Sequence, residues 1–293
     1  MLDLTIIILT YNEEKHIRRL LDNVTPIAKE IYIIDSFSTD RTIEIAREYP
    51  NVRILQHKWE NNHAKQFNWG LMEANPKTEW IMRLDADEYL EIDLIKRLQK
   101  ELPYLPNEIS SINLCLRHKF MEKFLRGGTG SVYLTRIFRN GKAQSEERLM
   151  DEHIKILEGK TITWKEHFVD DNLNDLSWWT AKHNGYATRE AAALLDEEYG
   201  LSDMQLTEDS KTNKKKSFYL RLPLFWRAFA YFIYRYFVRG GFLEGKEGFI
   251  WCFLQGWWYR TLVDAKIFEI KKKCGKNPKK IKEYLKSQYG IIL

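Results

Sequence analysis

The stretch that decides the reading is Trp80-Ile81-Met82-Arg83-Leu84-Asp85-Ala86-Asp87-Glu88-Tyr89-Leu90. A short, largely apolar run leads into two carboxylates one residue apart. Strand side chains alternate faces, so Asp85 and Asp87 are expected on one side of an extended chain. Two hard oxygen ligands at a strand end suit Mg²⁺ or Mn²⁺, held jointly with substrate phosphates rather than in an all-protein cage. Taken alone, the pair reads more simply as a strand followed by a solvated acidic turn. The rest of the chain has to decide.

Upstream, Leu4-Thr5-Ile6-Ile7-Ile8-Leu9 is a continuous β-branched run, as expected of a parallel strand buried on both faces. The polar loop Thr10-Tyr11-Asn12-Glu13-Glu14 follows, and then Ile17, Leu20, Leu21 and Val24 recur at helical spacing. Glu30 to Ile34 reads as a second strand ending in Asp35-Ser36-Phe37-Ser38-Thr39-Asp40, where Thr39 or Asp40 can cap the next helix. Val52 to Leu55 is a third strand, and the segment from Asn61 through Met72 is helical. Three βα units before the Asp-x-Asp strand make a doubly wound α/β half, with polar loops where such sheets bind ligands. No Gly-x-Gly-x-x-Gly follows the first strand and no Walker-type loop is present, which argues against dinucleotide and P-loop sites.

Downstream, Ile109–Leu116 and Val132–Arg139 read as strands, the latter ending at the turn pair Asn140-Gly141. Gly127-Gly128-Thr129-Gly130 is a turn, either a hairpin or loop connection or a weak phosphate-binding signal. Glu146, Glu147, Asp151 and Glu152 form an acidic cluster before His153. Residues 161–164 and 166–169 look like short strands around His167, and a helix carries Trp178, Trp179, Lys182, His183 and Tyr186.

The 293 residues, 44% hydrophobic, suffice for one large domain or a domain with an appendage. Cys115, Cys252 and Cys274 are far apart, so neither a disulfide framework nor a cysteine metal site is expected. Met1-Leu2-Asp3 lacks a basic n-region, so no secretory signal is expected. The net charge of +5 is divided unevenly: residues 206–293 hold 19 Lys and Arg against 7 Asp and Glu, and residues 1–205 hold 27 against 34. A basic tail on an acidic body implies an anionic partner. In that tail Arg221, Arg227, Arg235 and Arg239 interrupt an aromatic run and share one helical arc, the pattern of a helix lying in a membrane interface with Arg reaching the headgroups. No uncharged run approaches the ~20 residues of a membrane span. A helical cap packed on the α/β domain is the competing reading.

Four motifs now stand in order: Thr10-Tyr11-Asn12-Glu13, Asp35-Ser36-x-Ser38-Thr39-Asp40, Lys65-Gln66-x-Asn68-x-Gly70 and Asp85-Ala86-Asp87-Glu88. Together they resemble glycosyltransferase family 2, in particular its bacterial lipopolysaccharide-core and polysaccharide β-glycosyltransferase branch. The resemblance implies a GT-A fold, an α/β Rossmann-like mixed sheet flanked by helices. To this is added a C-terminal aromatic, basic helical appendage. The expected division is 1–205 for the transferase (1–100 the nucleotide-sugar half, 101–205 the acceptor half) and 206–293 for the membrane-associating region.

The resemblance further implies a nucleotide-diphosphate sugar donor and a glycan or glycolipid acceptor. Thr10, Tyr11, Asn12, Glu13, Asp35, Ser36, Lys65, Gln66, Asp85 and Ala86 are expected at the donor. Asp87, Asp85 and His167 are expected at a divalent metal, Mg²⁺ or Mn²⁺. Glu152, with Asp151 second, is expected as the base that takes the acceptor hydroxyl's proton. The chain is expected on the cytoplasmic face of the membrane, bound through residues 214–260, without nucleic acid. Two other classes compete: a non-catalytic scaffold of glycan assembly, and a nucleic-acid-binding protein using the basic aromatic tail.

Overall fold

The computed structural model describes residues 1–146, 153–202 and 219–293. They form two compact units: Met1–Phe124 with Ser131–Asn174, and Leu125–Gly130 with Asp175–Leu293.

The first unit is built on a mixed sheet of β1 (Leu2–Thr10), β2 (Ala28–Asp35), β3 (Val52–Gln56), β4 (Trp80–Asp85), β5 (Glu88–Leu90), β6 (Ile109–Phe120), β7 (Lys123–Phe124), β8 (Val132–Arg139) and β11 (Lys160–Asp171). Its order is β3-β2-β1-β4-β8-β6-β11-β5, with β7 against β6; β9 (Ala143–Ser145) and β10 (Ile154–Ile156) pair separately. The first four neighbours are parallel. β1 lies between β2 and β4, so the strand order reverses beside it, and the crevice at the carboxyl ends of such strands is where open α/β sheets bind ligands.

Alternation explains why these strands read as unbroken apolar runs. Ile6, Ile8, Ile31, Ile33, Met82 and Leu84 turn to one core with α1 (Ile17–Val24), α2 (Thr42–Ala46) and α4 (Ile92–Glu101). Ile7, Tyr32, Ile34 and Ile81 turn to the other face, against Phe67 of α3 (His63–Ala74). Both faces are dry, so the strand centres are almost wholly apolar, Thr5 and Arg83 being the buried exceptions. Gly70 lets α3 approach β2: a Cβ there would stand 2.5 Å from Ile34 Cγ1.

Two details differ from the sequence expectation. The runs at 161–164 and 166–169 are one strand, β11, with a register irregularity between Thr163 and His167. Asp85 and Asp87 do not share an extended segment either. β4 ends at Asp85, residues 86–87 form a turn, and β5 begins at Glu88.

In the second unit α5 (Leu176–Tyr199) packs Ala187, Ala191 and Leu195 against Tyr259, Val263, Ile267 and Ile270 of the helix Tyr259–Cys274. This packing sets the division after Asn174, well before the composition change near 205. His183 stacks on Trp179, bonds its carbonyl through Nδ1 and meets Gln255 through Nε2, which makes it part of the packing. The Gly127–Gly130 turn is bedded here too. The Gly128 N–H donates to the Arg239 carbonyl and the Gly127 N–H to Glu244, so these amides brace the unit and are not offered to a phosphate.

The arginine arc is split: Arg221 and Arg239 are exposed, as expected, and the other two are not. Arg227 is buried and paired with buried Asp264, and Arg235 is buried with its Nε donating to the Gly128 carbonyl. Aromatic and apolar side chains are turned outward too: Trp226 is 72% exposed, and Phe229, Phe237, Val238, Phe242 and Phe249 are also exposed. Among the described residues no helix is long and apolar enough to cross a membrane.

Candidate active site

Parallel register assembles the site. Thr10 is level with Asp35, Asp35 with Gln56, and Leu9 with Asp85, so the ends of β1, β2, β3 and β4 present polar residues along one edge.

Asp35 is fully buried and accepts from the Thr10 hydroxyl (3.0 Å), the Ser38 hydroxyl (2.5 Å), the Ser38 N–H (2.9 Å) and Gln56 Nε2 (3.3 Å). A carboxylate accepts about four such bonds. A further donor reaching Asp35 must therefore displace Thr10, Ser38 or Gln56. The first two loops are also laced to each other. The Asn12 N–H donates to Ser38 Oγ at 2.8 Å, the Thr39 N–H donates to Asn12 Oδ1 at 2.8 Å, and the Glu13 N–H donates to Thr42 Oγ1 at 2.7 Å. Asn12 sits at φ 56°, a conformation Asn tolerates better than most residues.

Gln66 is buried. Its Oε1 lies 2.7 Å from His57 Nδ1, and its Nε2 donates to Ser36 Oγ and the His57 carbonyl. It joins the ends of β2 and β3 instead of pointing at a phosphate. Asn68 clasps the Ser145 backbone with both ends of its amide, docking β9 on α3. Lys65 is exposed at the start of α3. Tyr11 is 59% exposed on the first loop. Phe37, not singled out by sequence, is 53% exposed on the second loop and held at φ 60°. A non-glycine residue rarely takes that conformation, and such strained positions cluster at functional sites.

Around the Asp-x-Asp turn, the Asp85 N–H donates to Glu88 Oε2 at 2.9 Å. The Asp85 carboxylate lies 3.9 Å from Arg83 Nη2 and 3.6 Å from Arg136 Nη2. Glu88 is buried and paired with Arg136, and burial pushes its carboxyl well above the ordinary carboxylate range. Ala86 is buried. Asp87 accepts from Asn172 Nδ2 at 2.9 Å through Oδ2, and its carbonyl accepts from Arg19 and from the Asp171 N–H.

His167 is not brought to this turn. β11 runs antiparallel to β5, so the Asp171 N–H meets the Asp87 carbonyl, whereas the His167 carbonyl meets the Glu91 N–H. Four strand residues separate the two levels, roughly 13 Å, and the His167 ring lies 3.5 Å from Glu91. Asp151 and Glu152 lie outside the described residues. Among the described residues no three His, Cys, Asp or Glu side chains converge as a metal cage. The oxygen donors of Asp85 and Asp87 fit the other mode, in which one or two carboxylates share a Mg²⁺ or Mn²⁺ with substrate phosphates and water.

With this geometry in view, the glycosyl transferase family 2 profile matches residues 5–171, more than half of the chain. The chain belongs to glycosyl transferase family 2. The SPbeta prophage-derived glycosyltransferase SunS of Bacillus subtilis (strain 168) is 32% identical over 149 residues, 50% of this chain and 33% of that protein, so the chain spans about a third of this relative's length. An uncharacterized glycosyltransferase of Rickettsia bellii (strain RML369-C) is 25% identical over 303 residues, covering 97% of this chain and 92% of that one. Among solved structures, the mannosyltransferase PcManGT from Pyrobaculum calidifontis, in complex with GDP-Man and Mn²⁺, is 16% identical with a TM-score of 0.52, covering 91% of this chain and 87% of that chain. The curled mixed sheet of this family 2 member is the GT-A fold expected from the four motifs.

Proposed function

We propose that the enzyme transfers a sugar from a nucleotide-diphosphate donor to a lipid-linked, lipopolysaccharide-type or capsule-type glycan, with inversion, at the cytoplasmic membrane face. The observation that carries the donor reading is the row of polar strand ends, Thr10, Asp35, Gln56 and Asp85, closing on the Asp85–Asp87 turn. PcManGT, of the same fold, holds a nucleotide sugar with Mn²⁺.

In this reading Tyr11 and Phe37 flank the base, Lys65 faces the diphosphate, and Asp87 with Asp85 holds the metal. The metal, when bound, draws charge from the departing diphosphate. The acceptor oxygen bonds to the anomeric carbon as the carbon–phosphate oxygen bond breaks. The leaving nucleoside diphosphate keeps the bonding electron pair, and Glu152, with Asp151 as the alternative, takes the hydroxyl proton.

The membrane reading rests on the outward aromatic side of the second unit. Trp226, Phe229, Phe237, Val238, Phe242 and Leu243 form an apolar face of the kind that marks a membrane or protein contact. Beside it a recess of about 490 Å³ is lined by Tyr236, Phe242, Phe249, Ile250 and Lys246, an apolar bed with a cation for an anionic headgroup. Asp87→Ala tests the core of the reading. Donor hydrolysis and transfer should vanish while circular dichroism stays unchanged, and full turnover in that variant, or in excess chelator, refutes the metal mechanism.

A further inference from the structure

The Asp87 carboxylate is held by Asn172, and what holds Asn172 begins at the far side of α1. His16 is completely buried at the N-cap of that helix. Its Nε2 accepts the backbone N–H of Leu173 at 2.9 Å, and its Nδ1 lies 2.6 Å from Glu13 Oε2. A ring nitrogen that accepts a backbone N–H carries no proton. The remaining proton therefore sits on Nδ1 and is donated to the Glu13 carboxylate. One turn along the helix, Arg19 donates to the carbonyls of Asp87 and Asp171 and to the Asp171 carboxylate. The segment 171–173 is thus bolted to the first helix at two points. Between them Asn172 Oδ1 accepts the Asn174 N–H, which turns Nδ2 toward Asp87.

We propose that His16 is a positioning residue. Locked as the Nδ1–H tautomer by Glu13, it fixes the 172–174 segment, and Asn172 then sets the orientation of Asp87. The proposal rests on the reading of Asp87 as the metal ligand, and it gives Glu13 a role in this relay instead of one at the nucleoside.

The test uses the full chain with Mn²⁺ alone as probe, read by the loss of the free-ion EPR signal. His16→Ala should weaken Mn²⁺ roughly 10–100-fold, the loss typical when an outer-shell partner is removed. His16→Gln, whose amide oxygen can take the Leu173 N–H, should recover most of it. Coupled residues are non-additive, so His16→Ala with Asn172→Ala should bind no more weakly than Asn172→Ala alone. Amide exchange at Leu173 should rise in His16→Ala and stay low in His16→Gln, and ¹⁵N spectra should show the Nδ1–H tautomer. Wild-type Mn²⁺ affinity in His16→Ala, additive losses, or an Nε2–H tautomer overturns the relay. If the unsubstituted protein does not bind Mn²⁺ alone, the same series is run with UDP or GDP present to supply the phosphates; failure there too defeats the metal reading, and the relay then stands or falls on the exchange and tautomer results.

Discussion

Replacing Asp264 by Ala tests which side of the C-terminal helices faces inward. Asp264 is 1% exposed and accepts from Arg227 Nε at 2.8 Å, from the same guanidinium's Nη2, and from the Phe225 N–H at 2.7 Å. Removing it leaves a guanidinium buried without its carboxylate, which costs about 3–5 kcal/mol. The stranded Phe225 N–H adds about 1 kcal/mol. At 1.4 kcal/mol per decade, the total of about 4–6 kcal/mol raises the opening equilibrium by roughly three to four orders of magnitude. Hydrogen exchange on peptides from Tyr259–Cys274 reads this directly in the full chain. Arg227→Met combined with Asp264→Leu should recover most of the loss, because an apolar pair of similar volume replaces a buried ion pair at little cost. If Asp264→Ala stays within about 1 kcal/mol of wild type while Arg227→Ala alone releases the protein from anionic vesicles, Arg227 faces headgroups and the inward assignment is wrong.

The aromatic face gives the complementary result. Trp226→Ser with Leu243→Ser, both highly exposed, should leave the melting temperature unchanged and lower co-sedimentation with anionic vesicles several-fold. Gly70→Ala should destabilise by about 1–3 kcal/mol in urea titrations, since the added methyl collides with Ile34. Ile34→Ala should relieve part of that loss in the double variant. Gln66→Ala leaves Ser36 and His57 without a buried partner and should cost about 1–3 kcal/mol by thermal melting; an unchanged melting temperature would return Gln66 to the ligand-facing set.

The βα repeats were legible because burial on both faces favours apolar residues at successive strand positions, as in Ile6-Ile7-Ile8. The strand-end motifs were legible for the same reason: a polar loop after a dry strand stands out. What sequence could not supply was direction and register. A helical wheel puts Arg227 and Arg235 on one arc but is silent on whether that arc faces solvent. The deciding partner, Asp264, comes 37 residues after Arg227. The family resemblance implied that His167 reaches the metal, yet antiparallel pairing of β11 with β5 sets it against Glu91. His16 gave no signal at all, since its acceptor role depends on a backbone N–H 157 residues away. The turn at 86–87 was legible only as one of two readings, because an apolar run into Asp-x-Asp suits a continuous strand as well as a strand and turn.

The four motifs also held more construction than contact. Asp35, Asn12, Ser36 and Gln66 bond mainly to one another's loops, and Glu13 is engaged by His16. A site that clamps a flexible diphosphate needs its loops fixed beforehand, because every rotamer frozen on binding weakens affinity. Polar residues at strand ends serve that purpose well: each carboxylate or amide can satisfy several loop N–H groups left over where the sheet stops. Asp85 illustrates the same economy at the metal turn. Two guanidinium groups within 4 Å already offset its charge, whereas Asp87 is oriented by a neutral amide. Asp87 is held at two points, by Asn172 at its carboxylate and by Arg19 and the Asp171 N–H at its carbonyl, and in the proposed reading the Asn172–Leu173–His16 connection behind it fixes the orientation of the metal ligand.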